Sequence, residues 1–241
     1  MCREVIMLRT IVAALGSRSM LYEAKIRADK VRLAVTYPAE YQLYRKLRPY
    51  SMIPRRRFVA DLREVRNVKV DGDLVECGTW NGGMSAALAT VLPGRISVLF
   101  DSFEGLPEPE TRDGVAAAEL MERDRLVADV ERARSVMTST GQKFEVHQGW
   151  FNETVPAWAA QKRPIAVLRL DGDWYESTMV CLEHLFPLLA VGGLLVIDDY
   201  LDWVGCRRAV HDYFAREERP EAIRTSAGSD AYVVKESLTS R

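Results

Sequence analysis

The sequence predicts an α/β chain: a mostly parallel, seven-stranded sheet with helices on both faces, preceded by a helical head. Three observations carry this. From residue 73 onward, short apolar runs alternate with stretches of helical periodicity, which implies a parallel sheet covered on both faces. Before residue 70 only helical spacing is found. The last segment, AIRTSAGSDAYVVK (222–235), reads as two strands around a Gly/Ser turn, and these bring five runs to seven.

Taken in order, residues 5–48 read as one or two helices, broken at Pro38 and Pro49. PRRRFVADLREVRNV (54–68) reads as another, with Pro54 at its start. Strands are expected over DLVECG (73–78), RISVLFD (95–101), KFEVHQG (143–149), IAVLRLD (165–171) and GLLVIDD (193–199). Helices are expected near 82–92, 115–139, 177–190 and 204–218. In the third of these, Met179, Leu182, Leu185, Phe186 and Leu189 share a face. Pro187 should bend its last turn and Gly192–Gly193 should end it. The domain boundary falls near residue 70, giving a head (1–70) packed on a sheet domain (71–241).

Charge is uneven. Residues 1–70 hold 16 Lys+Arg against 6 Asp+Glu, while the remainder holds 17 against 28. The basic residues are interleaved with Leu, Tyr, Val and Met, as in a packed helix, so the head is expected to meet an acidic body or a second subunit rather than nucleic acid. A homodimer or larger homo-oligomer follows from that reading. The four cysteines show no CxxC and no disulfide-like spacing, and three scattered histidines make no zinc site. The apolar patch IVAALG (11–16) is too short to span a membrane, and no convincing cleavage site follows it. A soluble, cytoplasmic protein without membrane or nucleic-acid partners is expected.

In a parallel sheet, ligands bind beyond the carboxyl ends of the strands. LRLDGDWYES (168–177) and GGLLVIDDY (192–200) both place paired acids there. Asp171, Asp198 and Asp199 are hard oxygen donors that suit Mg²⁺, with two substrate hydroxyls completing the shell. Asp173, two residues beyond Asp171, is placed to take a hydroxyl proton as general base. The bland alternative makes Asp173 and Asp198 helix caps, although Ser177 is the better N-cap for the helix that follows. Gly172 is expected to let Asp171 and Asp173 face one site, since glycine adopts backbone angles that a strand does not.

VECGTWNGG (75–83) is a glycine turn after the first strand, with Gly78, Gly82 and Gly83 permitting close approach of a ligand. It is not GxGxxG, and Glu76 beside it would repel a pyrophosphate. A cationic cofactor such as S-adenosylmethionine suits an acidic turn; an ordinary Gly-rich turn explains it equally. Asp101, ending the second strand, favours a nucleoside by accepting both ribose hydroxyls. In HQGWF (147–151), Gln148 and Trp150 either meet an adenine or fill core, and His147 reads as structural.

VECGTWNGG, DSFEGLPEP, QGWFNETVP, LRLDGDWYEST and GGLLVIDDY, in this order and over roughly residues 50–215, resemble the macrocin O-methyltransferase (TylF-type) family. The resemblance implies a class I methyltransferase (Rossmann-like) fold. It also implies Mg²⁺-dependent methyl transfer from S-adenosylmethionine to a sugar hydroxyl of a natural-product glycoside, in antibiotic or other secondary-metabolite biosynthesis. It places metal on Asp171, Asp198 and Asp199, and makes Asp173 the base. Around the cofactor it sets Glu76, Gly78, Trp80, Gly82, Ser85, Asp101, Ser102, Gln148, Gly149 and Trp150. PYSM (49–52) looks like the family segment that folds over the site, so Tyr50 and Met52, with Tyr200, are implied at the substrate. Departures are Trp80-Asn81 where Trp-Arg is common, Gln148 where Lys is frequent, and extra aromatic bulk in LDWVGC (201–206); they leave the acceptor open. A catechol-type methyltransferase is the alternative within the same chemistry. A non-catalytic cofactor- or RNA-binding module is the alternative outside it.

Overall fold

The structure, a computed structural model, describes residues 25–123, 126–225 and 230–237. The expectations for residues 5–24, the IVAALG patch included, lie outside these, as does the Gly/Ser turn read at 226–229. Contacts divide the chain into two units, Met1–Gln42 and Leu43–Arg241. Residues 25–36 are helical (α1), and α2 (Pro38–Leu47) starts on a proline, whose missing N–H has no partner to lose in a first turn. The division lies upstream of the boundary read near residue 70, so α3 (Arg55–Val65) falls within the second unit.

After α3 come β1 (Asp73–Cys77), α4 (Gly83–Val91), β2 (Ser97–Asp101), α5 (Val115–Arg123), α6 (Val130–Thr138) and β3 (Phe144–Gln148). Then follow α7 (Phe151–Ala159), β4 (Ile165–Leu170), α8 (Tyr175–Leu185), β5 (Leu189–Ile197), α9 (Val204–Arg216), β6 (Arg224–Thr225) and β7 (Ala231–Val234). They form one seven-stranded sheet in the order β3-β2-β1-β4-β5-β7-β6. The first five strands in that order run parallel, and β7 is antiparallel to both neighbours.

Strand periodicity assigns the faces. Val75, Cys77, Leu168, Leu170, Leu195 and Ile197 point to one side, where they pack with Trp158 of α7, Leu182 of α8 and Val210 of α9. Leu74, Val167, Leu194 and Val196 point to the other, against Phe58 and Leu62 of α3 and Met84 of α4. The alternation decides where three polar residues go. Glu76, two after Leu74, Arg169, two after Val167, and Asp198, two after Val196, all fall on the α3–α4 side and are buried there. Among the described residues no helix is long and apolar enough to cross a membrane.

Four expectations change. The helix read over 115–139 is two, α5 and α6, because Asp129 caps the second: Glu131 N–H (2.9 Å) and Arg132 N–H (3.4 Å) donate to its side chain. The helix read from 177 begins at Tyr175, so Ser177 lies inside its first turn instead of capping it; Trp174 precedes it without a side-chain cap. That helix also ends at Leu185, and β5 begins at Leu189. Gly192 and Gly193 therefore lie within a strand, near a register irregularity between β4 and β5 that absorbs them as a bulge does. Finally, α7 has no sequence-read counterpart. It starts without a side-chain cap and carries Pro156, both of which obscure a helix.

Candidate active site

The strand order reverses between β1 and β4, which opens a crevice beyond their carboxyl ends. The two strand ends touch there: Asp171 N–H donates to Cys77 O at 2.9 Å. Gly78 has φ +87°, and a Cβ on it would overlap the Asp171 carbonyl, so no other residue fits that turn. A cavity of about 580 Å³ occupies the crevice, with a smaller one of about 210 Å³ beside it. Met52, Gly78, Trp80, Asp171 and Asp173 border both.

On the β1–β2–β3 side, Asp101 lines the larger cavity. Thr79 N–H and Trp80 N–H donate to its Oδ2 at 2.8 Å each, and Phe103 N–H donates to Oδ1 at 2.7 Å. The acid thus holds the glycine turn. Burial raises its pKa, against which the three amides act. A carboxylate offers about four acceptor positions, and these amides use three of them. Ser102 lines the same cavity and folds the next turn, its hydroxyl donating to Gly105 O at 2.8 Å. Trp150, just before α7, is a wall residue with Phe151.

Glu76 is committed elsewhere. Ser85 Oγ donates to it, and Arg169 Nη1 lies 3.0 Å from Oε1. It borders only the smaller cavity, and burial pushes its pKa up to about 7. Gly82 opens α4 and packs against α6, while Gln148 is exposed at the end of β3. Gly149 N–H donates to Asp101 O at 2.9 Å. Neither cavity is bordered by Gly82, Ser85, Gln148 or Gly149. The same holds for Tyr50, which takes the Arg132 guanidinium on its ring at 5.4 Å, and for Tyr200, whose hydroxyl pairs with His211 Nε2 at 2.9 Å.

On the β4–β5 side the acids converge. Oxygens of Asp171, Asp198 and Asp199 lie within 4.8 Å of one another. Asp173 joins them, its N–H donating to Asp199 Oδ2 at 2.9 Å. The left-handed residue of this turn is Asp173 itself, with φ +58°, and not Gly172. Gly172 is needed for space: a Cβ there would press on Phe151 and Ser177 at 3.1 Å. A non-glycine residue held at positive φ marks strain that the surroundings impose. Burial first, then the Asp171 and Asp198 charges, push Asp173 up to about 8. Burial and Asp171 push Asp198 to about 8 as well, and Asp199 is raised for the same kind of reason. Three hard oxygen donors in a pocket open to water fit a divalent ion such as Mg²⁺.

Sequence reading missed the groups beneath these acids. Arg169 is fully buried and meets Asp198, Asp171 (2.7 Å), Glu76 (3.0 Å) and Asp61 of α3 (3.4 Å). Arg57, also on α3, meets Asp202, Asp198 (3.4 Å) and Asp230 (3.2 Å). Burial pushes Asp61 up to about 6 and Asp230 to about 9. Asp113 was missed too. It is buried and accepts from Glu110 N–H (2.8 Å) and Tyr175 N–H (2.7 Å), which ties the 102–114 segment to α8 as one wall of the larger cavity. For Arg169 and Asp61 the only sequence signal was a charged residue inside an apolar stretch; Arg57, Asp113 and Asp230 stand in polar segments and gave none.

A model of the macrocin O-methyltransferase (TylF) family matches residues 29–228. A tetracenomycin-C rhamnosyl 4'-O-methyltransferase of Streptomyces olivaceus is 40% identical over 159 residues, 61% of this chain and 59% of that protein. A mycinamicin III 3''-O-methyltransferase of Micromonospora griseorubida is 34% identical over 157 residues, 60% of this chain and 61% of that one. The matched region thus spans about 60% of these relatives' length. Among solved structures, the O-methyltransferase NovP superposes with a TM-score of 0.66 at 29% identity, covering 78% of this chain and 83% of NovP. The fold is that of the class I methyltransferases, and the chain belongs to the macrocin O-methyltransferase (TylF) family.

Proposed function

We propose that this chain transfers a methyl group from S-adenosylmethionine to a hydroxyl of a sugar on a natural-product glycoside, in a Mg²⁺-dependent reaction. One observation carries the reading: Asp171, Asp198 and Asp199 converge within 4.8 Å beside Asp173, all four on the smaller cavity, with Asp171 and Asp173 bordering the larger one as well. Relatives named as sugar O-methyltransferases support the acceptor class.

Asp171, Asp198 and Asp199 would hold the ion, and Asp101, Ser102, Trp80 and Trp150 would receive the cofactor. Bound there, Mg²⁺ would supply acidification and orientation of a hydroxyl, and S-adenosylmethionine would supply an electrophilic methyl group. Asp173 accepts the hydroxyl proton. Its elevated pKa makes it a base matched to neutral pH, and its place on both cavities gives the proton a route out. Trp80, Trp150, Phe151 and Trp174 line the larger cavity with aromatic faces that exclude water and suit flat or apolar ring surfaces.

The test is an assay with methyl-labelled S-adenosylmethionine against rhamnosides, macrolide glycosides and simple catechols, in EDTA and in Mg²⁺. Label on a glycoside hydroxyl only when Mg²⁺ is present is the expected result. Equal transfer in EDTA removes the metal, and transfer to catechols alone removes the sugar.

A further inference from the structure

We infer that Arg57 and Arg169 are positioning residues that pin both oxygens of Asp198, so that this carboxylate meets a divalent ion already oriented. The inference rests on the metal reading above. Arg169 Nη2 contacts Oδ1 of Asp198 from β4, and Arg57 Nη1 lies 3.4 Å from Oδ2 from α3. The two guanidiniums approach from different elements; Arg169 is buried and Arg57 half-buried, with side-chain exposures of 1% and 13%.

Each guanidinium is itself anchored on further acids. Arg169 holds Asp61, Glu76 and Asp171, and Arg57 holds Asp202 and Asp230. The ion pairs run in one line, Asp61, Arg169, Asp198, Arg57 and Asp230, with Asp198 at its centre. Asp198 is the member shared by this line and by the trio with Asp171 and Asp199. Without the two guanidiniums, Asp198 would face two other carboxylates with nothing to fix its rotamer before the ion arrives. Planar forks suit the task, because each presents its donors in a fixed geometry that an ammonium does not match. Among the described residues Asp199 pairs with neither guanidinium, so the ion keeps one ligand for which they do not compete.

Groups that orient a metal ligand typically change metal affinity by about 10–100-fold when removed. Arg57 is the better handle, since Arg169 contacts four acids and its loss threatens folding. EDTA-stripped wild type, Arg57→Gln, Arg57→Lys and Arg169→Lys are titrated with Mg²⁺ by calorimetry, and each is separately titrated with S-adenosylhomocysteine. In Arg57→Gln, Mg²⁺ binding is expected to weaken about 10–100-fold while S-adenosylhomocysteine affinity stays, with Arg57→Lys recovering part of the loss. Arg169→Lys is expected to weaken Mg²⁺ as well, and it carries the test with Arg57→Lys if Arg57→Gln does not fold. Unchanged Mg²⁺ affinity in these variants overturns the inference and leaves the metal reading standing. A parallel fall in both ligands also overturns it, because that marks a purely structural network of ion pairs. Wild type that binds no Mg²⁺ overturns the metal reading and this inference together.

Discussion

The two sides of the crevice neutralise their acids by different means. At the end of β2, Asp101 is satisfied by three backbone N–H groups of the turns it braces. At the ends of β4 and β5, Asp171, Asp173, Asp198 and Asp199 crowd above Asp61, Glu76 and Asp230, and two guanidiniums pair with five of the seven, leaving Asp173 and Asp199. Backbone dipoles can settle a single carboxylate at the cavity edge. They cannot settle a cluster, whose surplus charge must be met by protons or by a cation. The β1–β2 side is therefore expected to be indifferent to metal and only weakly sensitive to pH, and the β4–β5 side to depend on both.

The sharpest way to separate the sides is Asp173→Asn. Its backbone N–H still reaches Asp199, so metal and cofactor affinity should hold. The turnover number should fall about 10²–10⁴-fold for a lost general base, and the acid limb of the pH–rate profile should vanish with it. Calorimetry for both ligands and a pH–rate series check this; a profile that keeps its limb assigns the base elsewhere.

Asp171→Asn should behave differently, since it removes a ligand and not the base. Activity should drop but recover in part as Mg²⁺ is raised, whereas Asp173→Asn should gain nothing. If Mg²⁺ rescues Asp173→Asn instead, the roles of the two acids are exchanged.

How much of this was legible follows from where each signal sits. Acids that end apolar runs stand out, so Asp101, Asp171, Asp198 and Asp199 are readable as a strand-end set. Arg169 interrupts an apolar run by one residue and looks like noise. Its partner Asp61 lies 108 positions away, and only the pairing of β4 with α3's face brings them together. Glu76 reads as a cofactor acid because it neighbours the glycine turn. Strand alternation turns it away, under α3 and α4, where Arg169 and Ser85 take it. The Asp171-Gly172-Asp173 turn was readable as a turn, but not which residue takes the left-handed angle: Asp173 does, while Gly172 is closely flanked by Phe151 and Ser177.

A third contrast is in stability. Asp173 and Asp198 are raised to about 8 and Asp230 to about 9 in the folded chain, against about 3.9 for an unfolded aspartate. A raised pKa means the fold binds protons more readily than the unfolded chain. Its contribution is complete below about pH 4 and is lost as pH rises through about 8–9. The melting temperature in EDTA should therefore fall between about pH 6 and pH 9, and added Mg²⁺ should restore more at the upper end, where the carboxylates are charged. Thermal scans at several pH values test the sign; a melting temperature that rises with pH in EDTA contradicts it.

The smallest effect is expected on the other side. Asp101→Ala should weaken S-adenosylhomocysteine roughly tenfold, from one lost bond to a charged acceptor, and leave Mg²⁺ binding unchanged. Intact cofactor affinity in this variant would move the ribose away from β2.

The most direct test of a cation at the β4–β5 carboxylates is a calorimetric titration of Mg²⁺ into EDTA-stripped wild type and into Asp199→Asn. One ion per chain in wild type and a large loss of affinity in the variant is the expected result. No saturable heat in wild type, or identical binding in the two proteins, would contradict it.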